Sequence, residues 1–235
     1  VNAQELFQAA ALDDAISSLN AEVRENPTDA ARRTFLFELL CFAGGFDRAE
    51  RQLDVLGDGG REAQMGALLY RSALHAERKR SAMFADRSFP AGPPPRTVSG
   101  TANGRAFSSI ADADSRIGAR LELFVAGEYM WLPFEHVSSV RIDPPQRLRD
   151  LLWIPAHVTP ASHLVGVELG EVLMPALTPL AWSHPDSLVR LGRITDWELD
   201  GDVQAPVGQK ILLIDGDELP ILEVRELRIA TQPVA

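Results

Sequence analysis

The chain has 235 residues, 46% of them apolar and 24% charged, with a formal charge of −10 and a pI near 5.0. That acidity argues against a nucleic-acid backbone or an anionic membrane as partner, since both select basic stripes. Cys41 stands alone, no apolar run approaches the ~18–20 residues of a membrane span, and the start VNAQELFQAA lacks the layout of a signal peptide, so a cytoplasmic protein is expected.

Pro27 is the only proline before residue 90, which permits long helices early and forces turns later. Helices are expected near 3–10, 13–25, 30–43, 46–56 and 61–84. AALDDAISSL at 10–19 aligns with GGFDRAERQL at 44–53, pairing Ala15 with Ala49 and Leu19 with Leu53. The offset, 49 − 15 = 34, is the tetratricopeptide period, and a small residue at that place lets two helices of a hairpin approach closely. Pro27 stops one helix, Thr28 or Asp29 caps the next, and Gly44-Gly45 closes it. The third helix, ARRTFLFELLCFAG, is apolar nearly all round; Phe35, Leu39 and Phe42 form one stripe that can either fill a core or receive a partner helix. On the fifth helix, Met65, Leu68, Leu69, Ala73 and Ala76 are expected to point inward. Arg78, Lys79 and Arg80 are read as complementing the helix dipole, with no ligand needed.

The domain boundary is placed in SFPAGPPPRTVSGTANG: a helical domain at 1–87, a linker or long loop at 88–104, and a β-rich domain at 105–235. Short antiparallel strands are expected in LELFVAG, EYMWLPF, VSSVRI, LVGVEL, VLMPAL and LVRLGRITDWEL. A hairpin is expected around Asp215-Gly216 and another turn at Asp200-Gly201. The expected class is α+β, with tetratricopeptide-like hairpins followed by an antiparallel sheet or small barrel.

The chemistry-bearing motifs are weak. DADSRIG (112–118) begins like a calcium loop, but Arg116, Ile117 and Leu123 stand where an oxygen ligand, a glycine and the bidentate glutamate belong. Asp112, Asp114 and Arg116 are better read as a local charge network. The five histidines show no metal-ligand spacing among themselves. GEYMWLPFEH (127–136) gathers Glu128, Glu135 and His136 beside aromatics. Tyr129, Trp131 and Pro133 would share one strand face, and Met130, Leu132 and Phe134 the other, so a scaffold strand covered on both sides is expected.

DADSRIGARLELFVAGEYMWLPFEHVSSV followed by PPQRLRDLLWIPA resembles the ImpE/SciE/TagJ family of type VI secretion accessory proteins. The likeness rests on Asp112, Asp114, Arg116, Gly118, Leu121, Glu122, Gly127, Tyr129, Trp131, Leu132, Pro133, Phe134, Pro144, Pro145, Leu148, Arg149, Asp150 and Trp153, and later segments continue it. Ala119 and Lys210 depart from it, standing where proline and arginine are expected. The resemblance implies a cytoplasmic adaptor without cofactor or metal. It would bind the N-terminal helix of the small contractile-sheath subunit, in connection with a ClpV-type AAA+ ATPase that recycles the sheath. Phe35, Leu39 and Phe42 are the candidate partner residues. Two rival classes are an enzyme using carboxylates of the β-rich domain and a tetratricopeptide co-chaperone that clamps a C-terminal carboxylate.

Overall fold

A computed structural model describes residues 2–164, 166 and 168–230. Five helices open it: α1 Ala3–Gln8, α2 Leu12–Glu25, α3 Ala30–Phe42, α4 Phe46–Leu56 and α5 Arg61–Ala85. Their ends follow local chemistry. Asn2 and Glu5 form a capping box at α1, and the Asp29 carboxylate accepts the Arg32 N–H at the start of α3. Gly44, at φ +68°, makes the left-handed turn into α4. The repeat positions Ala15, Ala49, Leu19 and Leu53 are all buried, as close hairpin packing requires.

The strands are β1 Gly100–Ala102, β2 Arg105–Phe107, β3 Ile110–Asp112, β4 Arg120–Val125, β5 Glu128–Pro133, β6 Val137–Ile142, β7 Trp153–Pro160 and β8 Gly170–Pro175. After a short helix, α6 Ser187–Arg190, come β9 Thr195–Asp200, β10 Val203–Gly208, β11 Ile211–Ile214, β12 Asp217–Pro220 and β13 Glu226–Ile229. All pairings described are antiparallel. An eight-stranded sheet runs β2-β1-β13-β6-β7-β8-β4-β5, a three-stranded sheet β12-β11-β3, and β9 pairs with β10. The α+β class, helices first and antiparallel sheet after, is the observed one.

Several local expectations change. Regular β structure begins at Gly100, inside the expected linker, and that segment is held down: Val98 is buried and the Phe89 ring stacks on Trp131 at 5.9 Å. LVRLGRITDWEL is not one strand, because Ser187–Arg190 is helical under an Asp186 cap. LVGVEL takes in Val165 and Val167, which lie outside the described residues. β7 went unforeseen: its two prolines and its histidine hide a strand whose alternate residues Ile154, Ala156 and Val158 are buried.

β4 shows how the two halves join. Leu121 and Leu123 face one core, with Phe134, Val140, Ile154 and Leu227. Phe124 faces the other, which also contains Leu36, Phe37, Leu39, Leu40 and Phe42 of α3, together with Trp153 and Leu177. The period-2 alternation thus turns one face of a single strand to the sheet and the other to the helices.

Candidate functional site: the helix–sheet seam and the surfaces it leaves open

Several residues that carry the family likeness, among them Glu122, Tyr129, Arg149 and Trp153, meet at this seam. Glu122 lies between Leu121 and Leu123, so it points at the helices with Phe124. Arg80 of α5 meets it there, Nε donating to Oε1 at 2.8 Å and Nη2 to Oε2 at 2.9 Å. Nη2 also donates to the Leu177 carbonyl, at 2.9 Å, and Nη1 to Glu77 at 3.2 Å. Lys210 bridges Glu122 and Asp112, and the Tyr129 hydroxyl donates to Glu122. Trp131 Nε1 in turn donates to the Tyr129 oxygen. Arg80, Glu122, Lys210 and Asp112 are all buried. A charge taken out of water is tolerated only when paired and hydrogen-bonded, and here two cations answer two carboxylates, with Glu77 at the margin.

Position decides which carboxylate holds its proton more tightly. Burial works to raise Glu122, but the charges of Arg80 and Lys210 overcome it and hold the group at about 2. Burial pushes Asp112 up to about 6, opposed by one cation, Lys210, and by the Asp114 N–H, while the negative Glu122 adds to the rise. Burial and the adjacent Glu122 charge push the Tyr129 hydroxyl upward. Every group in this cluster has a protein partner.

A second part of the likeness pins the seam from another side. The Asp114 carboxylate is gripped by the Arg116 guanidinium, which also reaches Asp200 and lies 5.1 Å over the Phe84 ring of α5. Arg149 donates to Glu38 of α3 at 3.2 Å and lies 4.9 Å over Tyr70. Trp153 stacks on Tyr70 and donates through Nε1 to Glu77 at 3.2 Å. The Asp150 carboxylate accepts the N–H groups of Gln146 and Arg147, both at 2.9 Å, which fixes the turn that presents Arg149 and Trp153. Phe134 is fully buried, and Pro133 ends β5.

Three expectations are corrected here. β5 is the end strand of its sheet, half-buried and backed by α5 on one face, so Trp131 is only partly covered and Met130 is exposed. Arg78, Lys79 and Arg80 do not act together as a dipole cluster. Arg78 pairs with Asp47 and Glu50, Lys79 with Glu128, and Arg80 sits in the core. The Asp112/Asp114/Arg116 group is not local, since it reaches Lys210 and Asp200.

The partner stripe changes as well. Leu39 and Phe42 are buried in the shared core, so neither can line an open groove; Phe35 is half-buried, its ring edge-on to Phe7 at 5.7 Å. The stripe shares its core with residues of α1, α2 and α4, and the sheet's Trp153 packs against Phe37 on the opposite face of the same helix. Open apolar surface lies elsewhere. Met65 and Leu68 of α5, expected inside, are 65% and 64% exposed, and Leu69 is exposed with them, whereas Ala73 and Ala76 are buried. No sequence signal separated these from core residues, because among the described residues no element covers that face. Among the described residues, no helix is long and apolar enough to cross a membrane.

Three comparisons bear on this arrangement. A family profile described as ImpE protein matches residues 104–228. The type VI secretion system accessory component TagJ of Pseudomonas aeruginosa is 34% identical over 259 residues, covering 96% of this chain and 90% of that protein. The crystal structure of protein VPA1032 from Vibrio parahaemolyticus superposes with a TM-score of 0.82 at 23% identity, covering 98% of each chain, which shows a shared fold. Residues of the likeness take part in the seam, and the similarity runs along nearly the whole chain: this protein belongs to the ImpE family, the family of type VI secretion accessory proteins.

Proposed function

We propose that the protein is a non-catalytic, cytoplasmic adaptor of a type VI secretion system, holding the N-terminal helix of the small sheath subunit and aiding sheath recycling by a ClpV-type ATPase. The observation that carries the binding mode is the stripe of Met65, Leu68 and Leu69, at i, i+3 and i+4 on α5 and open to solvent. An amphipathic helix laid against it would bury these side chains by the helix-in-groove mode. Kinship with an accessory component supports the secretion role. The buried carboxylates of the seam are occupied by Arg80 and Lys210, which suits a structural use better than a catalytic one.

The test is calorimetry with a synthetic peptide of the sheath subunit's N-terminal helix. Binding to the wild-type chain is expected near the micromolar range, and Leu68→Asp is expected to weaken it by about tenfold or more while the chain stays folded. Phe42→Ser is expected to unfold the protein instead. Failure of the folded wild type to bind the peptide overturns the adaptor reading in this form.

A further inference from the structure

The β9–β10 hairpin offers a second docking edge. A two-residue turn, Gly201-Asp202, makes Asp200 and Val203 its first bonded pair. Antiparallel alternation then turns the backbone groups of Asp196, Glu198 and Asp200 toward β10 and those of Thr195, Trp197 and Leu199 outward. Two features of β10 agree: Pro206, which has no N–H, stands opposite Trp197, and the Gly208 N–H donates away from β9, to Thr178 Oγ1 at 2.8 Å. Among the described residues β9 pairs with no other strand, and only the outward N–H of Trp197 has a protein acceptor, the Asp196 carboxylate at 2.8 Å. An open edge of this length is a template for a further strand.

The edge is preformed. Asp200 is tied to Arg87 and Arg116, and Glu198 lies 3.2 Å from His184. A Cβ on Gly208 would sit 2.3 Å from the Ile194 carbonyl oxygen, so the base of the hairpin is closely packed. Its faces differ in character. Trp197 and Leu199 form an exposed apolar face, Leu199 at 79% exposure. Asp196, Glu198 and Asp200 point to the opposite face. From Ile194 to Gln209 the carboxylates are Asp196, Glu198, Asp200 and Asp202, and there is no Lys or Arg.

We infer that β9 accepts an extended segment of a partner protein, added as a strand, in which apolar residues alternate with Lys or Arg. The apolar residues would cover Trp197 and Leu199 while the basic ones face Asp196 and Glu198, and main-chain bonds to Thr195 and Leu199 supply the docking. A second copy of this chain is disfavoured. Two-fold antiparallel pairing about Trp197 sets Asp196 against Glu198 twice, and like charges directly opposed on a sheet destabilise it. The site is separate from the α5 stripe, so it stands or falls apart from helix docking there.

The experiment titrates the full chain with a capped heptapeptide of alternating valine and lysine, and with its valine–glutamate counterpart. The valine–lysine peptide is expected to bind, more weakly as salt rises, and to slow amide-hydrogen exchange at Thr195 and Leu199. Leu199→Pro removes an outward N–H without removing a bond to β10, and Asp196→Lys reverses a facing charge; each is expected to weaken binding by at least about tenfold with the melting temperature kept. If one variant fails to fold, the other and the exchange pattern decide. Four results overturn the inference: no binding, equal binding of the glutamate peptide, protection elsewhere, or a dimer of the free chain that Leu199→Pro dissociates.

Discussion

Arg80 is one side chain on which both halves of the molecule depend. Its guanidinium neutralises Glu122, satisfies the Leu177 carbonyl and touches Glu77, all out of water. Arg80→Ala leaves buried Glu122 with Lys210 as its one cation beside the Tyr129 hydroxyl, and the expected loss is about 3–5 kcal/mol in urea denaturation. Arg80→Met combined with Glu122→Gln is expected to cost less than the sum of the two single changes, since they share one interaction. The two carboxylates give the network opposite pH dependences. Asp112 titrates at about 6 in the fold against 3.8 ordinarily, so between those values the folded state binds more protons. Its contribution to stability therefore rises as pH falls from 7 toward 4. Glu122, at about 2 against 4.5, contributes fully above 4.5 and loses that contribution as pH falls toward 2. Denaturation near pH 7, 5 and 3 checks this: Asp112→Asn is expected to lack the gain between the first two and keep the loss at the third. Lys210, noted in the sequence only as a departure from the family pattern, is the residue that couples the two groups.

At the scale of elements, legibility followed locality. Helices α1 to α5 fell within two residues of their expected ends, because caps, Pro27 and Gly44-Gly45 are local signals, whereas α6 was read as strand. The Asp215-Gly216 turn was legible for the same reason, both residues holding positive φ between β11 and β12. The covering of a face was not legible, since it depends on which distant segment arrives. α3 looked too apolar for one bundle face because the sheet supplies its second neighbour, and α5 looked inward-facing at Met65, Leu68 and Leu69, which no described residue covers. The seam partners of Glu122 were hidden similarly: a lone Glu in an apolar LELFV strand marks a buried acid, but Arg80 lies 42 residues away. β5 illustrates the energetic consequence. Trp131 on this half-buried end strand is expected to cost about 2 kcal/mol on replacement by Ala, whereas fully buried Phe134→Ala is expected to cost about 3–5 kcal/mol, both read from thermal melts. The α3–α4 turn makes a stricter test of packing. Gly44 holds φ +68°, and a Cβ there would stand 2.5 Å from the Trp182 ring. Gly44→Ala is expected to destabilise by about 2 kcal/mol, through a strained backbone and a displaced indole together.

At the scale of the whole molecule, the decisive feature is that one core contains residues of both halves. Phe37 packs 6.3 Å from Trp153, Arg190 grips Asp13 through two bonds, and Arg193 donates to the Phe7 and Gln8 carbonyls at the end of α1. Helices α1, α2, α3 and α5 are thus each tied to the chain beyond residue 120. Two tetratricopeptide-like repeats are fewer than an isolated array needs, and here Phe124, Trp153 and Leu173 of the sheet share the helices' core. Such a chain is expected to unfold as a single cooperative unit, and its composition makes that measurable. The long helices all lie before residue 86, whereas Trp131, Trp153, Trp182 and Trp197 all lie in the later part. Far-UV ellipticity therefore follows mainly the helical half and tryptophan fluorescence the sheet half. In urea the two signals are expected to give coincident transitions, and Arg80→Ala is expected to move both midpoints down together. If ellipticity is lost at lower urea while fluorescence keeps its native value, the helices unfold on their own and the shared core does not couple the halves. If Arg80→Ala separates two transitions that coincide in the wild type, the coupling runs chiefly through this one buried guanidinium rather than through the apolar contacts around it.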